Sequence, residues 1–299
     1  MSAKVSEKAH AAKAFLSARV VNSAMHPSRG SVLIQDAAIR RLEECGMISG
    51  RQTMRQLVWW CDKWLRTHYR NEHVYRVAVL DELLKTRRVR VLPEFRIRTS
   101  QVDFIVIQDD LHAVEVKSEH DTLDRLETQI ADYRLVAPRI TVVAPQRLAS
   151  RLLSKPTLSA VGVSTLLLDG SVEHWRVAEP DPRHLSSAIM LSSLRRREYV
   201  AALESLGYEV PRLPNTQVFG NALTMAGRID PGEFLGASVV QLAQRQTRSP
   251  TSAIVRRIPR PLRPVVLRID PSSTQLEALC AWLDSEVVHV SPKTAREAV

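Results

Sequence analysis

Residues 102–117 read VDFIVIQDDLHAVEVK, and this stretch predicts two short strands joined by a tight turn. Its first part is an almost unbroken apolar run, QDD is typical of a turn, and the second part again has the composition of a strand. With a three-residue turn, Asp103 pairs with Glu115 across the hairpin. Side chains alternate between the two faces of a strand, so Lys117 shares a face with Glu115. The sequence therefore predicts two carboxylates and an ammonium group together on a hydrophobic hairpin.

This group of side chains suits phosphodiester hydrolysis. Hard cations such as Mg²⁺ take oxygen ligands and leave positions for water and phosphate oxygens. A metal held by Asp103 and Glu115 would polarise the phosphate and lower the pKa of an attacking water, while Lys117 would orient that water or offset phosphorane charge. The alternative is a surface hairpin with only a solvated Glu115–Lys117 ion pair. The acid within the apolar run favours the site, because a buried carboxylate needs a partner or a metal.

The flanking sequence predicts a mixed α/β core. Helical spacing of apolar residues indicates helices at 71–85 and 123–135, and strands are indicated at 88–98 and 139–144. The predicted order is thus helix, three strands, helix, strand. Two further strands, at 161–168 and 172–177, would extend the sheet. The fold class is therefore α/β, with helices flanking a central sheet.

This order, with an acid on the second strand and Glu-x-Lys on the third, resembles the PD-(D/E)XK, or restriction-endonuclease-like, nuclease superfamily. Gln129 and Tyr133 also form a Gln-x-x-x-Tyr on one helix face, as in the RecB-like branch. The resemblance implies an αβββαβ core that binds Mg²⁺ or Mn²⁺, with Gln129 near the metal and Tyr133 supporting the site or binding the nucleic-acid strand. Without the evidence of the hairpin, the alternative is that Tyr133 is a core residue and Gln129 an exposed residue, neither of them in a site. The proline of the motif is absent before Asp103.

A narrower resemblance covers residues 71–145. The segments EHVY, EFR, EVKS and DTLDRL, at 72–75, 94–96, 115–118 and 121–126, are similar to a little-characterised group of bacterial and phage proteins within the superfamily. Members of that group are nuclease-like by fold rather than by established activity. Some RecB-like proteins hold an iron-sulfur cluster with four cysteines, but this chain has only three, widely separated.

Three further positions are candidates for the site. Glu72, at the start of the first core helix, is either a further metal ligand or a favourable charge at a helix N-terminus. Glu94 on the first strand is a weaker candidate for the same site. Arg125 on the second helix is either a phosphate contact or a solvent-exposed arginine.

The charge of the chain favours a polyanionic partner. Lys and Arg number 42 against 32 Asp and Glu, which gives a net charge of +10 and a pI near 9.9. Residues 241–268 contain seven arginines and no acid, and Arg256 and Arg257 are adjacent within this segment. Nucleic acid, and DNA in particular, is therefore the expected partner. The alternative is an ordinary basic protein.

Composition shifts predict four segments: a helical module at 1–69, the nuclease core at 70–180, a second helical module at 181–246, and an Arg/Pro-rich tail at 247–299 with a short final helix. Prolines in the tail favour extended conformations. A helix at 51–68 carries Trp59, Trp60 and Trp64, which we expect to pack this module onto the core; a helix-turn-helix is the alternative. No long apolar run or signal-peptide core is present, so we expect a soluble, cytoplasmic protein without a membrane partner.

The leading functional hypothesis is a metal-dependent nuclease that hydrolyses phosphodiester bonds in DNA. The alternative is a catalytically silent, nuclease-fold DNA-binding or adaptor protein in a phage or bacterial assembly. A protein partner or a homo-oligomer is compatible with both hypotheses.

Overall fold

The computed structural model describes residues 3–48, 50–86, 89–211 and 213–288. The first strand was predicted to start at Arg88, which lies outside the described residues. Residues 1 and 2 of the predicted 1–69 segment and residues 289–299 of the predicted 247–299 segment also lie outside them. The chain divides into two compact units: unit 1 comprises residues 1–77 and 247–299, and unit 2 comprises residues 78–246.

Fourteen α-helices and six strands are present in the described part of the chain. In chain order they are α1 (Ala3–Phe15), α2 (Ala18–Met25), α3 (Arg29–Glu44), α4 (Met54–His68), α5 (Glu72–Lys85), β1 (Arg90–Ile97), β2 (Ser100–Ile107), β3 (Leu111–Val116), α6 (Leu126–Arg134), β4 (Arg139–Ala144), α7 (Gln146–Leu153), β5 (Gly162–Leu166), β6 (Val172–Arg176), α8 (Ser187–Ser193), α9 (Arg196–Ser205), α10 (Asn215–Ala226), α11 (Pro231–Ala243), α12 (Thr251–Arg257), α13 (Arg263–Ile269) and α14 (Ser273–Asp284). The segment from α5 to β4 therefore has the predicted order of helix, three strands, helix, strand.

Unit 2 is a mixed α/β structure built on one six-stranded sheet in the order β1-β2-β3-β4-β5-β6. Strands β1, β2 and β3 are antiparallel neighbours, β3, β4 and β5 run parallel, and β6 returns antiparallel to β5. The β3–β4 crossover contains α6 and the β4–β5 crossover contains α7, because parallel strands need a long connection. Helix α6 packs on β2 and β4.

The register of the β2–β3 hairpin is the one predicted from the sequence. Phe104 pairs with Val114 and Ile107 with Leu111, so residues 108–110 form the turn. Both strands are buried over most of their length. The carboxylates of the hairpin are thus set into a hydrophobic environment.

The helices at 181–246 share a core with the sheet. Leu191 of α8, Leu203 of α9 and Phe234 of α11 belong to the same buried cluster as Ile105 and Ala113 of the hairpin. Residues 181–246 therefore group with the sheet in unit 2, and residues 247–299 group with the N-terminal helices in unit 1. This grouping differs from the four predicted segments, because shared burial rather than composition defines a compact unit.

The expectation of an extended Arg/Pro-rich tail was wrong for its described residues. Pro250 caps the N-terminus of α12, Pro264 stands in the first turn of α13, and Pro259 precedes a short 3₁₀ helix at Arg260–Leu262. Proline is tolerated at these positions because first-turn N–H groups lack an intrahelical acceptor. The prolines thus mark helix starts.

Helix α4 belongs to unit 1 and begins with a complete capping box. The Thr53 side chain accepts from the backbone N–H of Gln56, and the Gln56 side chain accepts from that of Thr53. Its buried face includes Leu57, Cys61 and Leu65. Unit 1 packs α4 against α1 and α14. No helix in the described residues is long and apolar enough to cross a membrane.

Candidate active site

The two acids of the hairpin are buried neighbours on adjacent strands. The β2–β3 register places Asp103 beside Glu115, and their exposed fractions are 7% and 3%. Oδ2 of Asp103 accepts a hydrogen bond from the backbone N–H of Val116 at 2.7 Å. Burial of two carboxylates is costly unless donors or cations surround them.

Lys117 and Gln129 surround one oxygen of Glu115. Nζ of Lys117 donates to Oε1 of Glu115 at 2.8 Å and to Oε1 of Gln129 at 2.9 Å. Nε2 of Gln129 donates to the same Glu115 oxygen at 2.8 Å. The three side chains form a closed triangle, in which each contacts the other two.

Tyr133 holds the other oxygen of Glu115. Its hydroxyl donates to Oε2 of Glu115 at 2.7 Å and lies 3.1 Å from the carbonyl oxygen of Gln101. Burial raises the pKa of Tyr133, and the negative charges of Glu115 and Asp103 raise it further. The phenol therefore stays protonated and acts as a hydrogen-bond donor. Tyr133 is fully buried and supports Glu115 from within the core, while its contact with a nucleic-acid strand stays a prediction.

Helix α6 supplies both Gln129 and Tyr133 because its apolar face is anchored to the sheet. Leu126, Ile130 and Tyr133 are buried on that face, and Gln129 precedes Tyr133 by one turn. The side chains at 129 and 133 meet directly, with Nε2 of Gln129 3.3 Å from the Tyr133 hydroxyl. The predicted Gln-x-x-x-Tyr pair thus reaches the hairpin acids.

A second anchor of α6 was missed in the sequence. Asp132 is buried, and its carboxylate accepts hydrogen bonds from Arg98, Thr99 and Ser100 at the β1–β2 turn, at 3.1, 3.0 and 2.8 Å. These bonds fix the helix that carries Gln129 to the strand that carries Asp103. The signal was an acid directly beside the aromatic residue of the Gln-x-x-x-Tyr pair.

Glu94 lies on β1 between Pro93 and Phe95, which pair with Phe104 and Val102 of β2. The residue has a left-handed backbone with φ 50°, which is uncommon for a residue other than glycine. Its Oε2 accepts from the Gln101 side chain at 2.9 Å. Glu94 is therefore held on the strand next to Asp103.

The other predicted site residues are not part of this cluster. Glu72 forms an ion pair with Arg76 one helical turn later, at 2.8 Å. Arg125 is exposed at the N-terminus of α6, and Arg256 and Arg257 are exposed at the end of α12 in unit 1. Within the described ranges, no three His, Cys, Asp or Glu side chains are grouped so that they could hold a metal ion together.

The one-sided arginine content of 241–268 is partly structural. Arg245 forms a two-pronged ion pair with Glu198, with both distances 2.6 Å, and its guanidinium lies over the Phe95 ring. Arg263 donates to the carbonyls of Val255 and Ile258. Both arginines form contacts inside their own units. The number of arginines in the segment therefore overstates the positive charge that is available to a polyanion.

Comparison with known families identifies a match over the central part of the chain. Residues 66–227 match the family model described as bacteriophage P4 protein cII, which is more than half of the chain. The chain belongs to this family. No curated protein and no solved structure matched the chain at a significant level. The family description agrees with the phage part of the sequence-based expectation.

The matched region contains the whole sheet and the complete cluster around Glu115. It starts after most of α4 and ends before α11, so Trp59, Arg256 and Arg257 lie outside it. Asp103, Glu115, Lys117, Gln129 and Tyr133 therefore lie within the matched range, whereas the exposed arginines lie in parts of unit 1 beyond it.

The chemistry of the cluster fits a hard divalent cation. Asp103 and Glu115 offer carboxylate oxygens side by side, and Gln129 adds an amide oxygen, which are the ligand types that Mg²⁺ and Mn²⁺ prefer. The cluster holds two carboxyl groups and the single ammonium of Lys117. A buried site with more acidic than basic groups suits a bound cation.

Proposed function

We propose that the protein is a metal-dependent nuclease, built on a restriction-endonuclease-like core, that hydrolyses phosphodiester bonds in DNA. The observation that carries the proposal is the closed network of Glu115, Lys117 and Gln129 beside Asp103. The order of elements from α5 to β4 supports it, because that order brings the three segments with these residues to one face of the sheet.

Asp103 and Glu115 would hold Mg²⁺ or Mn²⁺ in this proposal. The bound ion supplies a Lewis acid for the phosphate and lowers the pKa of a coordinated water. Tyr133 and Val116 keep the two carboxylates in place through their hydrogen bonds. Carboxylates that are already held in position lose little conformational freedom when they bind a cation.

Lys117 would act on the water and on the developing charge. Its ammonium is held between Glu115 and Gln129, so the third N–H bond has a defined direction. Hydrolysis forms a bond between the water oxygen and phosphorus and breaks the bond from phosphorus to one sugar oxygen, which receives the proton. An ammonium beside the reacting phosphate stabilises the added negative charge during this exchange.

The experiment is cleavage of labelled single-stranded, duplex and branched DNA with Mg²⁺ or Mn²⁺. We expect Lys117→Ala to lower the cleavage rate about 10²- to 10³-fold, the usual loss for one electrostatic stabiliser. Asp103→Asn, which keeps the shape but removes the charge, should also lose metal-dependent cleavage. Lys155→Ala is the matched control, since Lys155 forms an ion pair with Glu127 outside the cluster. Wild-type protein that cleaves none of these substrates contradicts the proposal.

A catalytically silent DNA-binding or adaptor protein is the second candidate. The exposed Arg256 and Arg257 favour it, because these basic residues are on α12 of unit 1 and not in the cluster around Glu115. In that case wild type and Asp103→Asn would bind DNA equally, with strong salt dependence and no turnover.

A further inference from the structure

The exposed face of α4 has an unusual composition for a helix in unit 1. Trp59 and Trp60 are 41% and 37% exposed, although tryptophan is normally largely buried. The three tryptophans of this helix were expected to pack the N-terminal module onto the core, and Trp59 and Trp60 are instead partly exposed. Trp64 is buried and stacks on His68 with ring centroids 4.8 Å apart.

Helical geometry fixes how the exposed residues are arranged. Leu57, Cys61 and Leu65 define the buried face, and Lys63 lies opposite to it. At 100° per residue, Trp59 and Trp60 fall on either side of the Lys63 position. Two large rings therefore flank one ammonium group on the solvent side of α4. We call Trp59, Trp60 and Lys63 the tryptophan face.

The surroundings of the tryptophan face are basic. None of the residues exposed on α4 is acidic. Arg55, one turn before Trp59, donates to the backbone carbonyl of Arg257, which brings the exposed end of α12 next to the start of α4. Three acids on or beside α4 are paired with arginines: Asp62 with Arg66 at 2.9 Å, Asp284 with Arg55 at 2.8 Å, and Glu286 with Arg51 at 3.6 Å. The charge that reaches a ligand at this surface is therefore positive.

We propose that the tryptophan face binds single-stranded nucleic acid, with unpaired bases stacked on Trp59 and Trp60 and phosphates contacted by Lys63, Arg256 and Arg257. Stacking on an aromatic ring needs an unpaired base, since both faces of a base in a duplex are already covered. Basic side chains next to the rings match the regular negative charge of the backbone. This combination of rings and cations favours a single strand over a duplex.

The inference does not rest on the proposed cleavage, because the tryptophan face is in unit 1 and the cluster around Glu115 is in unit 2. Nucleic-acid binding in EDTA tests the tryptophan face, and metal-dependent turnover tests the proposed nuclease. Cleavage without tryptophan-dependent binding would contradict only this inference. Tryptophan-dependent binding without cleavage would contradict only the proposed nuclease.

The experiment is titration of the full chain with labelled oligothymidylate, and with a duplex of the same length, in EDTA. We expect tighter binding of the single strand and quenching of tryptophan fluorescence. The double change Trp59→Ala and Trp60→Ala should weaken single-strand binding at least about 30-fold, because it removes both stacks. Lys63→Ala should instead reduce the salt slope by about 0.7, the value for one phosphate contact in a single strand.

Two controls keep the test decisive. The double change Trp59→Phe and Trp60→Phe retains aromatic rings, so it should bind the single strand well while losing much of the fluorescence quenching. If the alanine variant does not fold, this loss of quenching shows whether the ligand contacts these two positions. Leu33→Ala removes another exposed apolar side chain, from α3, and should leave binding unchanged. Equal affinity for single strand and duplex, or unchanged affinity in the alanine variant, would overturn the inference and leave a protein partner as the occupant of this face.

Discussion

The hydroxyl of Tyr133 donates to Oε2 of Glu115 at 2.7 Å, although the residues are 18 positions apart and on different elements. This bond joins α6 to β3 inside the core. It also leaves Oε1 of Glu115 to Lys117 and Gln129. The carboxylate is thus held by one donor on one oxygen and two on the other, which restricts its rotation.

Removing this hydroxyl should lower stability without opening a large cavity. Tyr133→Phe keeps the ring but removes a donor from a buried carboxylate, so we expect the free energy of unfolding to fall by about 1–3 kcal/mol. Urea denaturation followed by circular dichroism measures this change. Tyr208→Phe is the control, because the Tyr208 hydroxyl makes no hydrogen bond to any residue that the structure describes. An equal loss in both variants would contradict the assigned role of Tyr133.

The Asp132 anchor gives a second stability prediction. Asp132→Ala removes the acceptor of Arg98, Thr99 and Ser100 and leaves the buried Ser100 hydroxyl without this bond. We expect a loss of about 2–4 kcal/mol in denaturation experiments, typical of a broken buried network. Asp124→Ala, which removes an exposed acid that accepts from Thr122, should cost little. If Asp132→Ala is as mild as Asp124→Ala, α6 is anchored by its apolar face alone.

His112 predicts a loss of stability in mild acid. Burial lowers the pKa of His112 from 6.5 to about 4, a direction reinforced by Arg139 and His174 and opposed by Asp110. Between these values the unfolded chain binds a proton that the native chain excludes, so stability falls as the pH drops from 6.5 to about 4. The pKa of His73 is also lowered to about 4 by burial, so it acts in the same direction.

The pH dependence can be assigned to His112 by substitution. His112→Asn removes one titrating group and should reduce the slope of stability against pH by roughly 1.4 kcal/mol per pH unit within that window. Urea midpoints measured across the window give the slope. His184→Asn serves as the comparison, since His184 is half exposed. A slope that His112→Asn leaves unchanged would mean that protonation of His112 is not linked to unfolding.

The arginines of the 241–268 segment should separate into two groups. Arg256→Ala and Arg257→Ala should each lower the salt slope of single-strand binding by about 0.7, the value for one phosphate contact, with little change in stability. Arg245→Ala should instead destabilise unit 2, because it leaves the largely buried Glu198 without its ion-pair partner. Salt titrations and denaturation of the same three variants distinguish the groups. A salt slope that changes only in Arg245→Ala would reverse the assignment.

Local pattern was sufficient for the elements from α5 to β6. The predicted range 139–144 coincides with β4, and the hairpin register followed from a three-residue turn alone. These predictions succeeded because apolar period and turn residues act over a few positions. The prediction of an extended tail was wrong because local sequence does not decide the conformation there. Its prolines are compatible with either an extended chain or the first turn of a helix.

The sequence by itself determined that Asp103, Glu115 and Lys117 share one face of a buried hairpin, because strand alternation and turn length leave no other register. It also indicated Gln129 and Tyr133 as a pair on one side of a helix. Only the tertiary structure decided that this pair contacts Glu115 and that Asp132 anchors the helix. It also decided that Arg245 forms an ion pair with Glu198 and that Trp59 and Trp60 are exposed. These are contacts between residues distant in sequence, and their energies depend on what is buried when the elements pack together.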